Sequence, residues 1–269
     1  MHIKRVSQRW TAKFEVKPGS WVFVPTDETL KYGNIIKKSI ESKWSPPNYY
    51  YHLRDGGHVK ALMSHINHQF FIHLDILNYF GCINKSRVTR ALKRYWSYSE
   101  ARDIASQSTV RDPSISSHIK FILPFGFVQS PIIASLCLQT SKLGRYLSKL
   151  NMLSEVSVSV YMDDIIISSN DINKLNIIIN RIRPIAEFSK FPLNPNKEQG
   201  PSDSITAFNI ELSKGFFQIT EERLEEFKIA YQESDNFNVL NGILGYVATV
   251  NQDQLKEILH DMCHITKDS

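Results

Sequence analysis

Hydrophobic and polar residues follow two different periods along the chain, and together they predict both strands and helices. Residues 156–160 alternate strictly between valine and serine, and an apolar run at 165–167 follows a short polar turn. This pattern is typical of a β-hairpin. Residues 70–74 form a mostly apolar run of strand length that ends at Asp75. We therefore expect a sheet that contains at least these three strands.

The remaining segments complete a mixed order of elements. Apolar residues at helical spacing, with capping residues at several starts, predict helices over 84–106, from Ser130-Pro131 through Leu147, from Asp171 onward, and over 221–233 and 239–264. A second hairpin is expected over 205–212 and 216–220, and residues 1–60 are expected to be loop-rich. This order predicts an α+β fold with a mainly antiparallel sheet.

Composition excludes several classes of protein. The chain is 42% hydrophobic and 22% charged, both near the globular average, so it is not disordered as a whole. No apolar run approaches the ~20 residues that a membrane helix needs, and the basic start of the chain lacks the apolar core of a secretory signal. Three widely spaced cysteines, Cys82, Cys137 and Cys263, predict reduced thiols and a cytoplasmic location.

Charge is distributed unevenly along the chain. Residues 1–220 hold 28 basic and 17 acidic residues, whereas residues 221–269 hold 4 basic and 10 acidic ones. The first part therefore carries a net charge of +11, and the second part carries −6. A strongly basic body suits a polyanion such as a nucleic acid, although many soluble domains of this charge bind none.

Three carboxylates stand where charges are normally unfavourable. Asp163 and Asp164 occupy the tip of the predicted hairpin, and Asp75 ends an apolar strand. If these strands are antiparallel neighbours, Asp75 and Asp163 come side by side and form a hard oxygen site suited to Mg²⁺. Two such ions can activate a hydroxyl and stabilise a leaving pyrophosphate. The plainer interpretation is a polar turn and a strand-end residue.

Five motifs in the same order resemble those of reverse transcriptases. They are Tyr161-Met-Asp-Asp164, the first carboxylate motif over residues 71–83, Leu123-Pro-Phe-Gly126 with Ser130-Pro131, Leu193-Asn-Pro-Asn-Lys197, and Phe208-Asn-Ile-Glu-Leu212. The resemblance runs from residue 71 to about 220. It implies a polymerase palm at 71–220 that includes part of the fingers. It also implies fingers at 1–70, and a short acidic helical thumb or interaction segment at 221–269.

The resemblance also implies roles for particular residues. Asp75 and Asp163 would bind two Mg²⁺ ions, for which Mn²⁺ could substitute, with Asp164 supporting them and Ile76 as a further ligand position. Lys197 would lie near the departing pyrophosphate as a charge stabiliser or proton donor, or it is an ordinary solvated lysine.

Nucleotide binding is assigned by the same resemblance. Phe80 would exclude a ribose 2′-hydroxyl, unless it is simply a core residue, and Gly126 would allow close approach to the nucleotide. Tyr161 and Phe125 complete the predicted substrate contacts. Arg54 and Lys60 resemble a triphosphate-holding finger hairpin, or belong to a solvated loop.

Departures from the family pattern point to one branch of it. Phe125 stands where glutamine is usual, the fingers are short, and the C-terminal segment is acidic. These features, with the stretch at residues 52–60, resemble compact reverse transcriptases of bacterial phage defence, of the abortive-infection or retron type. The expected partners are dNTPs and either a template–primer or a noncoding RNA. Homo-oligomerisation is left open, and no membrane is expected.

Three functions remain open from the sequence. The first is a reverse transcriptase that adds dNTPs to a 3′-hydroxyl. The second is a template-independent polymerase primed by a protein hydroxyl, which the aromatic Phe125 and the acidic C-terminal segment favour. The third is an inactive RNA-binding or assembly subunit, against which the three retained carboxylates argue.

Overall fold

The computed structural model describes residues 8–17, 19–115 and 117–265. Its strands are β1 (Trp10–Lys17), β2 (Ser20–Pro25), β3 (Phe70–Asp75), β4 (Val110–Arg111), β5 (Phe121–Ile122), β6 (Val156–Tyr161), β7 (Asp164–Ser169), β8 (Gln199–Ser202), β9 (Ser204–Ala207), β10 (Ile210–Ser213) and β11 (Phe216–Ile219). Its helices are α1 (Asp27–Glu41), α2 (Gly57–Met63), α3 (Lys85–Leu92), α4 (Tyr98–Ser108), α5 (Ser130–Thr140), α6 (Lys142–Leu150), α7 (Ile172–Phe188), α8 (Glu221–Glu233), α9 (Phe237–Val250) and α10 (Gln252–Ile265), with a 3-10 helix at Tyr51–Leu53. The predicted α+β class is confirmed.

The central sheet has four antiparallel strands in the order β6-β7-β3-β8. Strands β6 and β7 form the predicted hairpin, and β3 pairs with β7 from Phe70 opposite Ser169 to Asp75 opposite Asp164. The first carboxylate motif and the hairpin are therefore neighbours, as the sequence predicted.

Apolar side chains cover both faces of this sheet. Ile72 and Ile165 pack on one face with residues of α5, α6 and α7, whereas Phe71 and Ile166 pack on the other with α2 and strands β9 and β10. Burial on both faces explains why residues 165–167 are continuously apolar and do not alternate.

Three predicted helices are each divided in two by a new capping residue. The helix expected over 84–106 consists of α3 and α4, because Ser97 and Glu100 form a reciprocal capping box that starts α4. Ser141 caps α6 and separates it from α5, and Asn251 separates α9 from α10. At the start of α5, Gln129 takes the capping position and Ser130 is the first helical residue, which corrects the prediction.

The N-terminal region is more regular than the sequence analysis predicted. Residues 10–17 alternate polar and apolar side chains, and they pair with β2 as an antiparallel hairpin. Thr26 then caps the 15-residue helix α1 by accepting from the Thr29 N–H at 3.2 Å. The expectation of a loop-rich region is therefore wrong for this part of the chain.

The strand expected over 205–212 is also divided. Phe208 and Asn209 both have positive φ angles, 57° and 59°, and they turn the chain between β9 and β10. Positive φ at both central residues is the geometry of a two-residue hairpin turn. The region is therefore a three-stranded sheet in the order β11-β10-β9, not a single hairpin.

The C-terminal helices pack against the end of this three-stranded sheet. Their small apolar cluster contains Ile219, Leu224, Ile243, Val247 and Ile258. The side chain of Gln254 bonds to both main-chain groups of Ile219 at 2.8 Å. Across residues 8–265, with the two gaps already given, no helix is both long and apolar enough to cross a membrane. Cys82 and Cys137 are free thiols, and the side chain of Cys263 lies outside the described part.

Candidate active site

Strand pairing brings the three predicted carboxylates to one end of the central sheet. Asp75 and Asp164 are opposite each other in the β3–β7 register, and the main chain of Asp163 accepts a hydrogen bond from the Ile76 N–H at 2.9 Å. Asp163 itself lies in the turn between β6 and β7. The predicted juxtaposition is thus present, with Asp164 rather than Asp163 directly across from Asp75.

The turn that carries Asp163 is held by a histidine from a distant segment. Met162 has a φ of 57°, an uncommon value for a residue other than glycine. Its N–H donates to Nδ1 of His52 at 3.0 Å, and Nε2 of His52 lies 2.6 Å from the hydroxyl of Ser135. Because Nδ1 accepts, Nε2 must carry the proton and donate it to Ser135, whose own hydroxyl donates to the Pro131 carbonyl. Burial lowers the pKa of His52 to about 4, so the ring is neutral near pH 7.

Asp75 is buried and bonded to two groups that follow α7. The Lys197 ammonium lies 2.9 Å from one carboxylate oxygen, and the Asn194 amide donates to the other at 3.1 Å. The hydrogen bond to Asp75 raises the pKa of Lys197, so the lysine is fully charged. Lys197 therefore belongs to the candidate site, where its ammonium contacts the Asp75 carboxylate.

Asp164 is bonded to a buried histidine on the neighbouring strand. Nε2 of His73 lies 2.7 Å from its carboxylate, and the amide of Gln199 lies 3.4 Å from Nδ1 of the same ring. Gln199 is fixed in turn by two bonds to the main chain of Thr206, at 2.7 and 2.8 Å. No role beside the carboxylates was predicted for His73, although a histidine two residues before Asp75 on a buried strand shares its face of the sheet.

Asp163 carries the least compensated charge of the three. Burial, followed by the nearby Asp164, raises its pKa to about 6. Among the described residues, no group of three His, Cys, Asp or Glu side chains is arranged around a common point. The donor set nevertheless fits a divalent cation, because it offers hard carboxylate oxygens and one poorly compensated charge that a cation would stabilise.

Phe80 and Phe125 contact each other edge to face, with ring centroids 4.8 Å apart. Phe80 is 8% exposed and Phe125 is 55% exposed, so only Phe125 presents a large apolar surface to solvent. The adjacent Gly126 has a φ of 101°, and a Cβ at that position would lie 2.2 Å from the Phe23 carbonyl. Its absent side chain therefore permits close packing on β2, a reason that the sequence analysis did not give.

Tyr161 is the centre of an aromatic cluster. Its ring makes edge contacts with His52, His58 and Phe208 at centroid distances of 5.9, 5.8 and 5.3 Å. His58 also lies 3.0 Å from the hydroxyl of Tyr246 on α9. The C-terminal helices thus reach the residues beside the candidate site.

Arg54 and Lys60 are not on a hairpin. Arg54 follows the 3-10 helix, donates to the Asn48 carbonyl and lies over the Tyr51 ring at 5.5 Å. Lys60 is exposed on α2, which begins at the Gly56-Gly57 pair. The predicted finger hairpin is therefore wrong for this segment, because the glycines start a helix, and the nearest hairpin in the chain is β1–β2.

Comparison with known protein families gives the class of the protein. Residues 23–208 match the family described as "Reverse transcriptase (RNA-dependent DNA polymerase)". Because this match spans more than half of the chain, the protein belongs to the reverse transcriptase family. Members of this family generally use divalent metal ions. No curated protein matches the chain.

Solved structures show a similar fold at low sequence identity. The chain resembles telomerase from Candida albicans in complex with a fragment of telomeric RNA, with 12% identity and a TM-score of 0.51. The similarity covers 88% of this chain and 46% of that one. It also resembles a foamy viral protease-reverse transcriptase in complex with double-stranded DNA, with 14% identity, a TM-score of 0.49, and coverage of 91% and 36%. The chain thus spans less than half the length of either relative.

Proposed function

We propose that this protein is a DNA polymerase that adds dNTPs to a 3′-hydroxyl in a metal-dependent reaction on a nucleic-acid template. The observation that carries the proposal is the arrangement of Asp75, Asp163 and Asp164 at one end of the β3–β7 pair, in a chain of the reverse transcriptase family. Residues 1–70 would form the fingers, 71–220 the palm with part of the fingers, and 221–269 a short acidic thumb or interaction segment. We place this activity in the cytoplasm.

The carboxylates would hold two Mg²⁺ ions. Asp75 and Asp163 supply oxygen ligands, Asp164 supports them, and Ile76 can contribute only its main-chain carbonyl. When bound, the ions activate the attacking hydroxyl and stabilise the leaving pyrophosphate. Lys197, whose ammonium lies 2.9 Å from Asp75, would stabilise charge on the departing pyrophosphate.

The nucleotide would lie near Phe80 and Phe125, which contact each other edge to face. The edge of Phe80 would exclude a 2′-hydroxyl, and the exposed ring of Phe125 would lie against the incoming nucleotide or the template base. Tyr161 would line the same region beside the turn. Gly126 would allow the segment that carries Phe125 to pack closely against β2. Arg54 and Lys60 would supply positive charge for the triphosphate from α2 and the segment before it.

The test is incorporation of labelled dNTPs by the purified protein with Mg²⁺ or Mn²⁺ on an RNA or DNA template–primer. Asp163→Ala should abolish incorporation, whereas Asp203→Ala, an exposed aspartate between β8 and β9, should not. Equal activity of the wild type and Asp163→Ala would contradict the proposal. No incorporation by the wild type would favour an RNA-binding or assembly subunit.

A second mode of synthesis is favoured by one observation. Phe125 is 55% exposed where family members usually place a glutamine that helps order the nucleotide and template base. Synthesis without a template, primed by a protein hydroxyl, would suit this apolar surface. Product made without template, whose mobility changes on protease treatment, would support this mode. Product that requires a template and resists protease would exclude it.

The biological role we propose is bacterial antiviral defence. Its support is the sequence resemblance of residues 52–60, together with the short fingers and Phe125, to abortive-infection reverse transcriptases. Phage plating on bacteria that express the wild type or Asp163→Ala tests this role. Protection by the wild type alone is expected, and equal plating on both strains would contradict it.

A further inference from the structure

A basic groove lies between helices α3 and α4 and strand β5, and it includes none of the residues assigned above to catalysis or nucleotide binding. The cations that line it are Lys85, Arg90, Lys93, Arg102 and Lys120. Its volume is about 650 Å³, which is large enough for more than one nucleotide.

Local structure directs these cations to the same surface. Arg90 lies in the last turn of α3 and Lys93, three residues on, is its C-terminal capping residue, whereas Tyr98 and Arg102 are one turn apart on α4. The capping box at Ser97 begins α4 directly after the chain leaves α3, so the two helices pack side by side and present these residues to one groove.

The positive charge of the groove is largely uncompensated. None of the described residues that line it is acidic. Among the described residues, the only ion pair made by these five cations joins Lys120 to Asp112, at 3.8 Å. Several unpaired cations in one concave surface attract a polyanion and favour release of its counterions.

Two aromatic rings accompany the cations. Tyr98 is 57% exposed, and the Lys93 ammonium lies 5.5 Å from its ring centroid. The Lys85 ammonium lies 5.4 Å from the Phe121 ring. An exposed ring beside phosphate-binding cations is the arrangement on which unpaired bases stack, whereas a duplex offers no free base faces to it.

We propose that the basic groove binds a single-stranded segment of RNA or DNA, with its phosphates on the cations and a base on Tyr98. This goes beyond polymerisation, because the groove would hold nucleic acid whether or not the carboxylates are active. Its occupant would be a strand or partner RNA separate from the 3′ end that the carboxylates extend.

The test measures binding of fluorescently labelled 20-nucleotide oligo(U) and oligo(dT), and of a duplex of equal length, by anisotropy at several salt concentrations. Arg90→Gln with Arg102→Gln should weaken single-strand binding about tenfold and reduce the salt slope by about 1.4, which is about 0.7 for each lost phosphate contact. Lys149→Gln with Arg181→Gln removes two exposed cations from α6 and α7, outside the groove. It is the matched control, and it should change binding little.

Tyr98→Ala separates stacking from charge. It should weaken single-strand binding about fivefold or more with the salt slope unchanged, and it should leave duplex binding unaltered. Thermal melts of each variant confirm that it is folded. Unequal losses of affinity for oligo(U) and oligo(dT) would identify the preferred strand. A loss of affinity for either one supports binding in the groove.

Three binding results would overturn the proposal. They are equal losses in the groove pair and the control pair, no effect of Tyr98→Ala, or an equal effect of Tyr98→Ala on single strand and duplex. Incorporation of dNTPs on a short hairpin template–primer should be unchanged in the groove pair. Loss of incorporation there would also overturn it, because the groove would then belong to the polymerase cleft. If the protein proves inactive as a polymerase, the binding measurements still decide whether the groove binds single-stranded nucleic acid.

Discussion

Replacement of Asp163 by asparagine should stabilise the metal-free protein at neutral pH. Burial and the neighbouring Asp164 raise the pKa of Asp163 from 3.8 to about 6. That difference corresponds to about 3 kcal/mol of unfavourable free energy when the carboxylate is ionised in the folded state. Because Asp163 is partly accessible, solvent screening reduces the expected gain to about 1–2 kcal/mol.

The sign of the pH dependence follows from proton linkage. The pKa of Asp163 is higher in the folded chain than in the unfolded chain, so the folded chain binds more protons between about pH 4 and pH 6. The stability that protonated Asp163 contributes is therefore fully present below about pH 4, and it is lost as the pH rises through 6. The advantage of Asp163→Asn should be largest above pH 7 and about half as large near pH 5.

Urea unfolding in EDTA at pH 5 and pH 7.5 measures this difference for the wild type, Asp163→Asn and the exposed control Asp203→Asn. A variant that is less stable than the wild type at pH 7.5, or whose gain does not change with pH, would refute the reasoning. Addition of Mg²⁺ should stabilise the wild type more than Asp163→Asn, because a ligand that binds only the folded state shifts the unfolding equilibrium.

Three further predictions concern neighbouring residues. His52→Ala removes the acceptor of the Met162 N–H and should lower kcat for dNTP incorporation about tenfold with KM little changed; loss of stability with normal kcat would indicate a purely structural role. Phe80→Val should increase incorporation of ribonucleotides relative to deoxynucleotides about tenfold in competition assays, and an unchanged ratio would exclude Phe80 as the gate. Gly126→Ala should lower the free energy of unfolding by more than about 2 kcal/mol, because its Cβ would meet the Phe23 carbonyl. Gly19→Ala, whose Cβ would have no neighbour within 4 Å, should cost only about 1 kcal/mol in the same melts.

Short-range patterns predicted the central hairpin correctly. The alternation at 156–160 and the polar turn before 165–167 depend on adjacent residues, so the strands and the turn at Asp163 could be read directly. The division of the helix at Ser97 was missed although the capping box is also local. The regular alternation of β1 was a further local signal that the prediction of loops overlooked.

The partners of the carboxylates could not be read in the same way. His73 and Asp164 are 91 residues apart, and His52 and Met162 are 110 residues apart. No spacing rule connects such pairs, since their contact depends on the register of β3 with β7 and on where the segment before Arg54 packs. The burial of His65 and His73 likewise depends on how distant segments pack, and no local pattern indicates it.

The sequence separation of these contacts has a consequence for the order of folding. Asp75 and Lys197 are 122 residues apart, so their ion pair forms only after β3, β7 and the chain that follows α7 have come together. Contacts of such high contact order form late because the intervening chain must first lose its conformational freedom. The β3–β7 pair, which brings Asp75 and Asp164 together, closes a shorter stretch of chain, so these like charges can meet before Lys197 arrives to offset them. During synthesis, a nascent chain that has not yet reached Lys197 would hold these charges without their internal cation, which gives a free divalent ion its greatest effect at that stage.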